Sequence, residues 1–256
     1  MKIDRVQMTK DFFRSYIHNA YKLDDRFVIR DGKKHPLAII CPGGAYSVVC
    51  NFIEGIPFAT KLNEYGISAI NLYYHVKGKA KYPMPLDDLA RAVREIGEKA
   101  EEYGVDMDHY SIWGSSAGGH LAGCFGTDEL GYAKYGLPKP ECLVLIYPVI
   151  TMHKDITNYR SRKYFIGEDA SEELESMVSV DEHVTADFPR TFLWCGSEDK
   201  SVPPVNCNMM DEALKKNGID HKFILYPGVE HGVGLADDTA AARWLPEAVA
   251  FWQGKE

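Results

Sequence analysis

Ser116 stands at the centre of Gly114-Ser115-Ser116-Ala117-Gly118, a GxSxG pentapeptide followed by Gly119 and by the helix-compatible His120-Leu121-Ala122. A serine hydroxyl is a weak nucleophile near neutral pH. It acts when a base takes its proton and an acid fixes that base's tautomer. The motif gains meaning from its setting: the apolar run His109 to Trp113 reads as a strand, so the serine falls on a sharp strand-turn-helix corner. Small flanking residues permit the strained backbone such a corner imposes. Ser115 is a competing nucleophile by type, but it fills the variable position of the motif and Ser116 the central one.

On this architecture the partners follow in the order serine, acid, histidine. After the apolar run Thr191 to Cys195 comes Gly196-Ser197-Glu198-Asp199-Lys200-Ser201-Val202-Pro203, which puts a carboxylate at a strand's carboxyl end. Asp199 is the expected acid and Glu198 its rival. After His221 to Leu225, the loop Tyr226-Pro227-Gly228-Val229-Glu230-His231-Gly232-Val233-Gly234 can carry a histidine to the serine, so His231 is the expected base. His75, His109, His153, His183 and His221 read as surface or core residues, and His120 as a packed structural one. Acyl transfer also requires donors for the charge that builds on the carbonyl oxygen. Cys41-Pro42-Gly43-Gly44-Ala45-Tyr46 follows the strand-like Leu37 to Cys41, and its glycines allow close backbone approach. The expected oxyanion-hole donors are the N–H of Ala117 and that of Gly43 or Gly44.

Positioning these loops requires a parallel sheet with crossover helices. The expected strands are Leu37 to Cys41, Ser68 to Tyr73, His109 to Trp113, Cys142 to Tyr147, Thr191 to Cys195 and His221 to Leu225. Leu89, Val93 and Ile96 recur at helical spacing within Leu86 to Tyr103, and Phe58 to Tyr65, Val205 to Asn217 and Ala240 to Trp252 complete the expected helices. The polar stretch 153–188 breaks the rhythm and reads either as a small lid or helical excursion or as a solvated loop. With no linker or repeat, residues 1–256 are expected to form one domain.

Composition narrows the function classes. The 256 residues are 45% hydrophobic, 12% aromatic and 26% charged, as in globular proteins. Twenty-nine Lys and Arg against 37 Asp and Glu give a formal charge of −8, which disfavours nucleic acid or an anionic membrane as partner. The six cysteines lack framework spacing and read as free thiols in a reducing compartment. The amino terminus, MKIDRVQMTKDFFRSY, has no apolar stretch of signal type and no spanning-length run follows, so a cytoplasmic location is expected. No HExxH, Walker loop, Cys/His cluster or strand-linked GxGxxG occurs, so neither metal nor organic cofactor is expected.

The chain resembles the α/β-hydrolase superfamily, and within it the carbohydrate-ester and acetylxylan-esterase-like group of small bacterial esterases. The resemblance is carried by Pro42-Gly43-Gly44-Ala45-Tyr46, Glu54-Gly55-Ile56-Pro57 with Ala59, Asn71-Leu72-Tyr73-Tyr74, Pro85-Leu86-Asp87-Asp88, Gly114 to Gly119, Asp199 and His231-Gly232. Pro42 and Ala45 depart from the HGGG form of the first loop. The resemblance implies an α/β-hydrolase fold, a mostly parallel central sheet flanked by helices with a small lid or none. It also implies a serine esterase that takes short acyl groups, acetyl above all, from acetylated sugars or xylo-oligosaccharides, with Tyr46, Tyr73 or Tyr74 as stacking surfaces. A peptidase or an arylformamidase on the same triad is the alternative enzyme reading, and a non-catalytic ligand-binding hydrolase-fold protein the alternative of another class. The oligomeric state stays open, a homo-oligomer included.

Overall fold

In the computed structural model, which describes residues 20–255, short apolar runs become strands wherever turn residues bound them. They are β1 Lys22–Phe27, β2 His35–Cys41, β3 Ser68–Tyr73, β4 Val105–Ser115, β5 Cys142–Ile146, β6 Arg190–Gly196 and β7 His221–Tyr226. Among the described residues they form one seven-stranded sheet in the order β1-β3-β2-β4-β5-β6-β7. All pairings are parallel except that of β1 with β3. The six expected strands are present. The added β1, read as Lys-Leu-Asp-Asp-Arg-Phe, escaped the hydrophobic pattern because Asp24 is buried as an ion pair, accepting from Arg26 at 2.6 and 2.7 Å.

The helices are α1 Ile56–Glu64, α2 Met84–Glu98, the single turn α3 Ala100–Tyr103, α4 Ala117–Gly126, α5 Tyr159–Phe165, α6 Glu172–Met177, α7 Val205–Lys216 and α8 Trp244–Trp252. On α2, Leu86, Leu89, Val93 and Ile96 form the buried stripe that their spacing demands. Every residue of α4 is buried, so this helix fills the middle of the molecule instead of facing solvent on one side. Trp113, Trp194 and Trp244 are wholly buried, with the Trp244 ring 6.0 Å from that of Trp113 and 5.6 Å from that of Trp194. The six cysteines are unpaired, five of them buried. No helix among the described residues is long and apolar enough to cross a membrane.

Residues 153–188 form a packed helical excursion and not a solvated loop. The buried Arg162 guanidinium donates to Glu175 Oε1 (2.8 Å from Nε) and to the carbonyls of Gly167, Glu168 and Ala170. Phe165, at the end of α5, stacks on Tyr46 with centroids 4.6 Å apart. Asn158 caps α5 by accepting the Ser161 N–H at 2.9 Å, and Ser171 does the same for α6.

Sheet register brings the candidate loops together. Cys41 on β2 lies opposite Gly114 on β4, and Ser115 on β4 lies opposite Ile146 on β5. The chain leaving β2, the serine leaving β4 and Tyr147 leaving β5 therefore emerge side by side at the carboxyl edge. The chain crosses from β3 past β2 to β4, and the crevice outside such a reversal is where open α/β sheets bind ligands.

Candidate active site

Ser116 has φ 52° and ψ −118°, a left-handed conformation that a side-chain-bearing residue adopts only under constraint. The constraint is visible: its N–H donates to Ile146 O at 3.0 Å, and its carbonyl accepts from His120 and Val149 N–H at 3.1 Å each. Close packing behind the corner requires the motif's second glycine, since a Cβ on Gly118 would stand 1.9 Å from the Cys41 carbonyl oxygen. Ser116 is 7% exposed. Ala117 opens α4, so its N–H is one of the first-turn donors without an intrahelical acceptor.

Ser116, His231 and Asp199 form one hydrogen-bonded chain. His231 Nε2 lies 2.9 Å from Ser116 Oγ, and His231 Nδ1 lies 2.6 Å from Asp199 Oδ2. A carboxylate can only accept, so Nδ1 carries the proton and Nε2 is left to accept from the serine hydroxyl. Asp199 Oδ1 accepts the N–H groups of Ser201 (2.9 Å) and Val202 (2.8 Å), which locks the acid in place. Its rival Glu198 is exposed, whereas Asp199 is buried. His120 is packed, with Tyr46 Oη 2.8 Å from Nδ1 and the Val178 carbonyl 2.7 Å from Nε2. Burial pushes its pKa down to about 4.

The two glycines of the first loop differ in their surroundings. Gly43, one of the two expected oxyanion donors, gives its N–H to Glu54 Oε2 at 2.7 Å. Gly44, at φ 126°, lines with Ala45 an open cavity of about 650 Å³ that also contains Ser116 and His231. The stacking surfaces expected of Tyr46, Tyr73 and Tyr74 are corrected: their rings are buried. Tyr159, 62% exposed, is among the residues that line the cavity, its hydroxyl donating to Glu168.

The BD-FAE family profile matches residues 28–214, well over half of the chain. The chain belongs to the BD-FAE family. Among proteins similar to this BD-FAE member are endo-1,4-beta-xylanase B of Butyrivibrio fibrisolvens, 29% identical over 90% of this chain and 36% of that one. The acetylxylan esterase of Xylanibacter ruminicola is 26% identical over 76% of this chain and 40% of its own length. The chain thus spans well under half the length of these two relatives. Among solved structures, an acetyl ester-xyloside bifunctional hydrolase from Caldicellulosiruptor lactoaceticus superposes with a TM-score of 0.81 at 32% identity, covering 89% of this chain and 86% of that chain. The carboxylesterase Cest-2923 from Lactobacillus plantarum gives 0.77 at 26% identity, covering 92% of both. The fold is that of the α/β-hydrolase esterases.

Two residues packed against the candidate site have no role assigned from the sequence alone. Glu54 is buried with its two carboxylate oxygens on Gly43 N–H and on Tyr147 Oη, the latter 2.8 Å away. Tyr147, with φ 36°, packs its ring edge-on against His231 at 4.9 Å. A signal for Glu54 existed: one carboxylate within Phe52-Ile53-Glu54-Gly55-Ile56-Pro57-Phe58 is a charge that burial obliges to find donors. Tyr147 is one of 15 tyrosines, and nothing in its neighbours distinguishes it.

Proposed function

We propose that this protein is a serine-dependent carboxylic ester hydrolase that removes short acyl groups, acetyl above all, from acetylated sugars or xylo-oligosaccharides. The observation that carries the reading is the continuous chain from Ser116 Oγ through both ring nitrogens of His231 to the buried Asp199. It leaves the base in the one tautomer able to take the serine proton.

In the proposed cycle Ser116 Oγ attacks the ester carbonyl carbon as its proton passes to His231 Nε2. Asp199 stabilises the imidazolium, and the N–H groups of Ala117 and Gly44 receive the oxyanion, each worth roughly 3 kcal/mol in the transition state. The tetrahedral intermediate collapses, its C–O bond breaks, and His231 hands its proton to the departing alcohol. Water, giving a proton to the same nitrogen, then attacks the acyl carbon; the C–Oγ bond breaks, His231 returns the proton to Ser116 Oγ, and the acid leaves.

Support for a sugar on the alcohol side comes from the cavity wall. Val48 and Ile53 supply apolar surface, Arg160 and Ser201 supply hydrogen-bonding groups, and Tyr159 presents a ring held at its hydroxyl by Glu168. A pyranose needs this mixture, with an aromatic face against its C–H groups and polar partners for its hydroxyls. The names of the xylan-directed relatives point the same way. The test is acetate release from acetylated xylo-oligosaccharides, run beside a peptide amide and an N-formyl aromatic amine. Acetate release that exceeds both amide reactions by orders of magnitude is expected. Faster cleavage of the formamide or the peptide overturns the substrate assignment.

A further inference from the structure

A buried carboxylate touching the first loop has no part in the proposed cycle. Glu54, 4% exposed, lies in a π-helical turn, Asn51–Gly55, that leads into α1. Such turns distort the helical ladder and concentrate at functional positions. Both partners of its carboxylate are donors, the Gly43 N–H at 2.7 Å and the Tyr147 hydroxyl at 2.8 Å, so an ionised group is satisfied on both oxygens. Burial holds the Glu54 pKa above the usual carboxylate value, and the Tyr147 and Gly43 hydrogen bonds and the nearby His231 offset only part of that rise.

The two partners lead to opposite sides of the nucleophile. A Cβ built on Gly43 would stand 2.8 Å from Ser116 Cβ and 2.8 Å from Glu54 Oε2, so loop, carboxylate and serine are packed together there. On the other side, Tyr147 Oη accepts the N–H of Gly234 at 3.3 Å, three residues beyond His231 in the same loop, and the Tyr147 ring rests against the His231 ring. We propose that Glu54 is a positioning residue for the esterase cycle set out above: one carboxylate oxygen fixes the loop that presents Gly44, the other fixes the histidine loop through Tyr147, and both are thereby held in register with Ser116.

This role rests on the serine-esterase reading and needs both oxygens to accept. A glutamine keeps one acceptor and replaces the other by a donor. Either the Gly43 N–H then faces an amide NH₂, or the Tyr147 hydroxyl must redirect its proton. Shape and volume are retained, while the charge is lost and the hydrogen-bond polarity of the tie changes. Hydrogen bonds to a charged acceptor are about twice as strong as neutral ones, so the surviving contact is also weakened.

The test uses the full chain with Glu54→Gln and, separately, Tyr147→Phe. Three quantities are read: kcat and KM for p-nitrophenyl acetate, the rate at which a fluorophosphonate labels Ser116, and the thermal midpoint. Glu54→Gln should lower kcat and the labelling rate together by roughly 10- to 100-fold, the scale of loss when a reacting group is held slightly out of place. KM should stay within about twofold and the melting temperature within a few degrees. Tyr147→Phe, which cuts the tie to the histidine loop alone, should show a smaller loss of the same kind, and it decides the matter by the same criteria if Glu54→Gln does not fold. Retention of kcat and labelling within twofold, or a loss seen only in KM or only in step with melting, overturns the proposal and leaves the esterase reading intact. A wild-type protein that neither turns over ester nor reacts with the fluorophosphonate overturns that reading and the Glu54 role with it.

Discussion

Replacing Asp199 by asparagine separates the acid's electronic task from its structural one. Oδ1 of Asp199 accepts two backbone N–H groups, from Ser201 at 2.9 Å and Val202 at 2.8 Å. An asparagine will keep its carbonyl oxygen there, because turning the amide over would set NH₂ against two donors. Its NH₂ then faces His231 Nδ1, where Oδ2 now lies at 2.6 Å. Nδ1 must accept, the ring proton moves to Nε2, and the base points a proton at Ser116 Oγ. The expected loss in kcat is on the order of 10⁴, or about 5.4 kcal/mol of barrier, the size associated with the wrong tautomer in a serine triad. Since both loop donors keep their acceptor, circular dichroism and the melting temperature should be nearly unchanged. Asp199→Ala should lose comparable activity and also stability, by about 1–3 kcal/mol for the orphaned buried N–H of Val202. The assay is initial-rate hydrolysis of p-nitrophenyl acetate at pH 7.5 with enough enzyme to read a 10⁵-fold range. An Asp199→Asn protein within tenfold of wild type would refute the tautomer argument, as would a large loss in Glu198→Gln, whose exposed side chain should leave the rate unchanged.

Burial of His120 holds its pKa near 4, below the ordinary 6.5, so the unfolded chain takes up a proton that the folded one refuses. Its contribution is fully present above pH 6.5 and drains away as pH falls to about 4. Urea unfolding should therefore record a loss of about 3 kcal/mol across that window from this group. Arg162→Met strands the buried Glu175 carboxylate without its guanidinium and should cost about 3–5 kcal/mol, seen as a fall of roughly 10 °C in melting temperature. Tyr159→Ala removes the one aromatic face named in the cavity wall. KM for acetylated xylo-oligosaccharides should rise roughly fivefold while p-nitrophenyl acetate turnover stays within twofold, as stacking worth about 1 kcal/mol requires.

The strands were legible because parallel strands are continuous apolar runs, and Ser68–Tyr73 matched to the residue. β1 was not, since pairing only along one edge of the sheet lets it keep a charged sequence, with Asp24 buried beside Arg26. The closing helix begins at Trp244 and not at Ala240, because residues 240–243 turn before the apolar stripe docks. Ser116, Asp199 and His231 stood out because the motif and the chain order are local facts that register then brings together. The engagement of Gly43 was not legible: it depends on Glu54, eleven residues downstream, folding back onto the loop. The tyrosines failed for a related reason. Strand alternation does not say which face a helix covers, and Tyr46 lies beneath Phe165 of an excursion whose helices had no boundaries in the sequence. The same excursion is what delivers Tyr159 to the cavity.

The most direct test of the account traps the acyl-enzyme. Wild-type protein and Ser116→Ala are mixed with p-nitrophenyl acetate at low pH, quenched, digested and analysed by mass spectrometry, alongside steady-state turnover and a circular dichroism spectrum of each. One acetyl group is expected on the peptide containing Ser116 in wild type, and a folded mutant with neither the adduct nor turnover. Acetylation at another residue, or a folded Ser116→Ala protein that hydrolyses the ester at the wild-type rate, would contradict it.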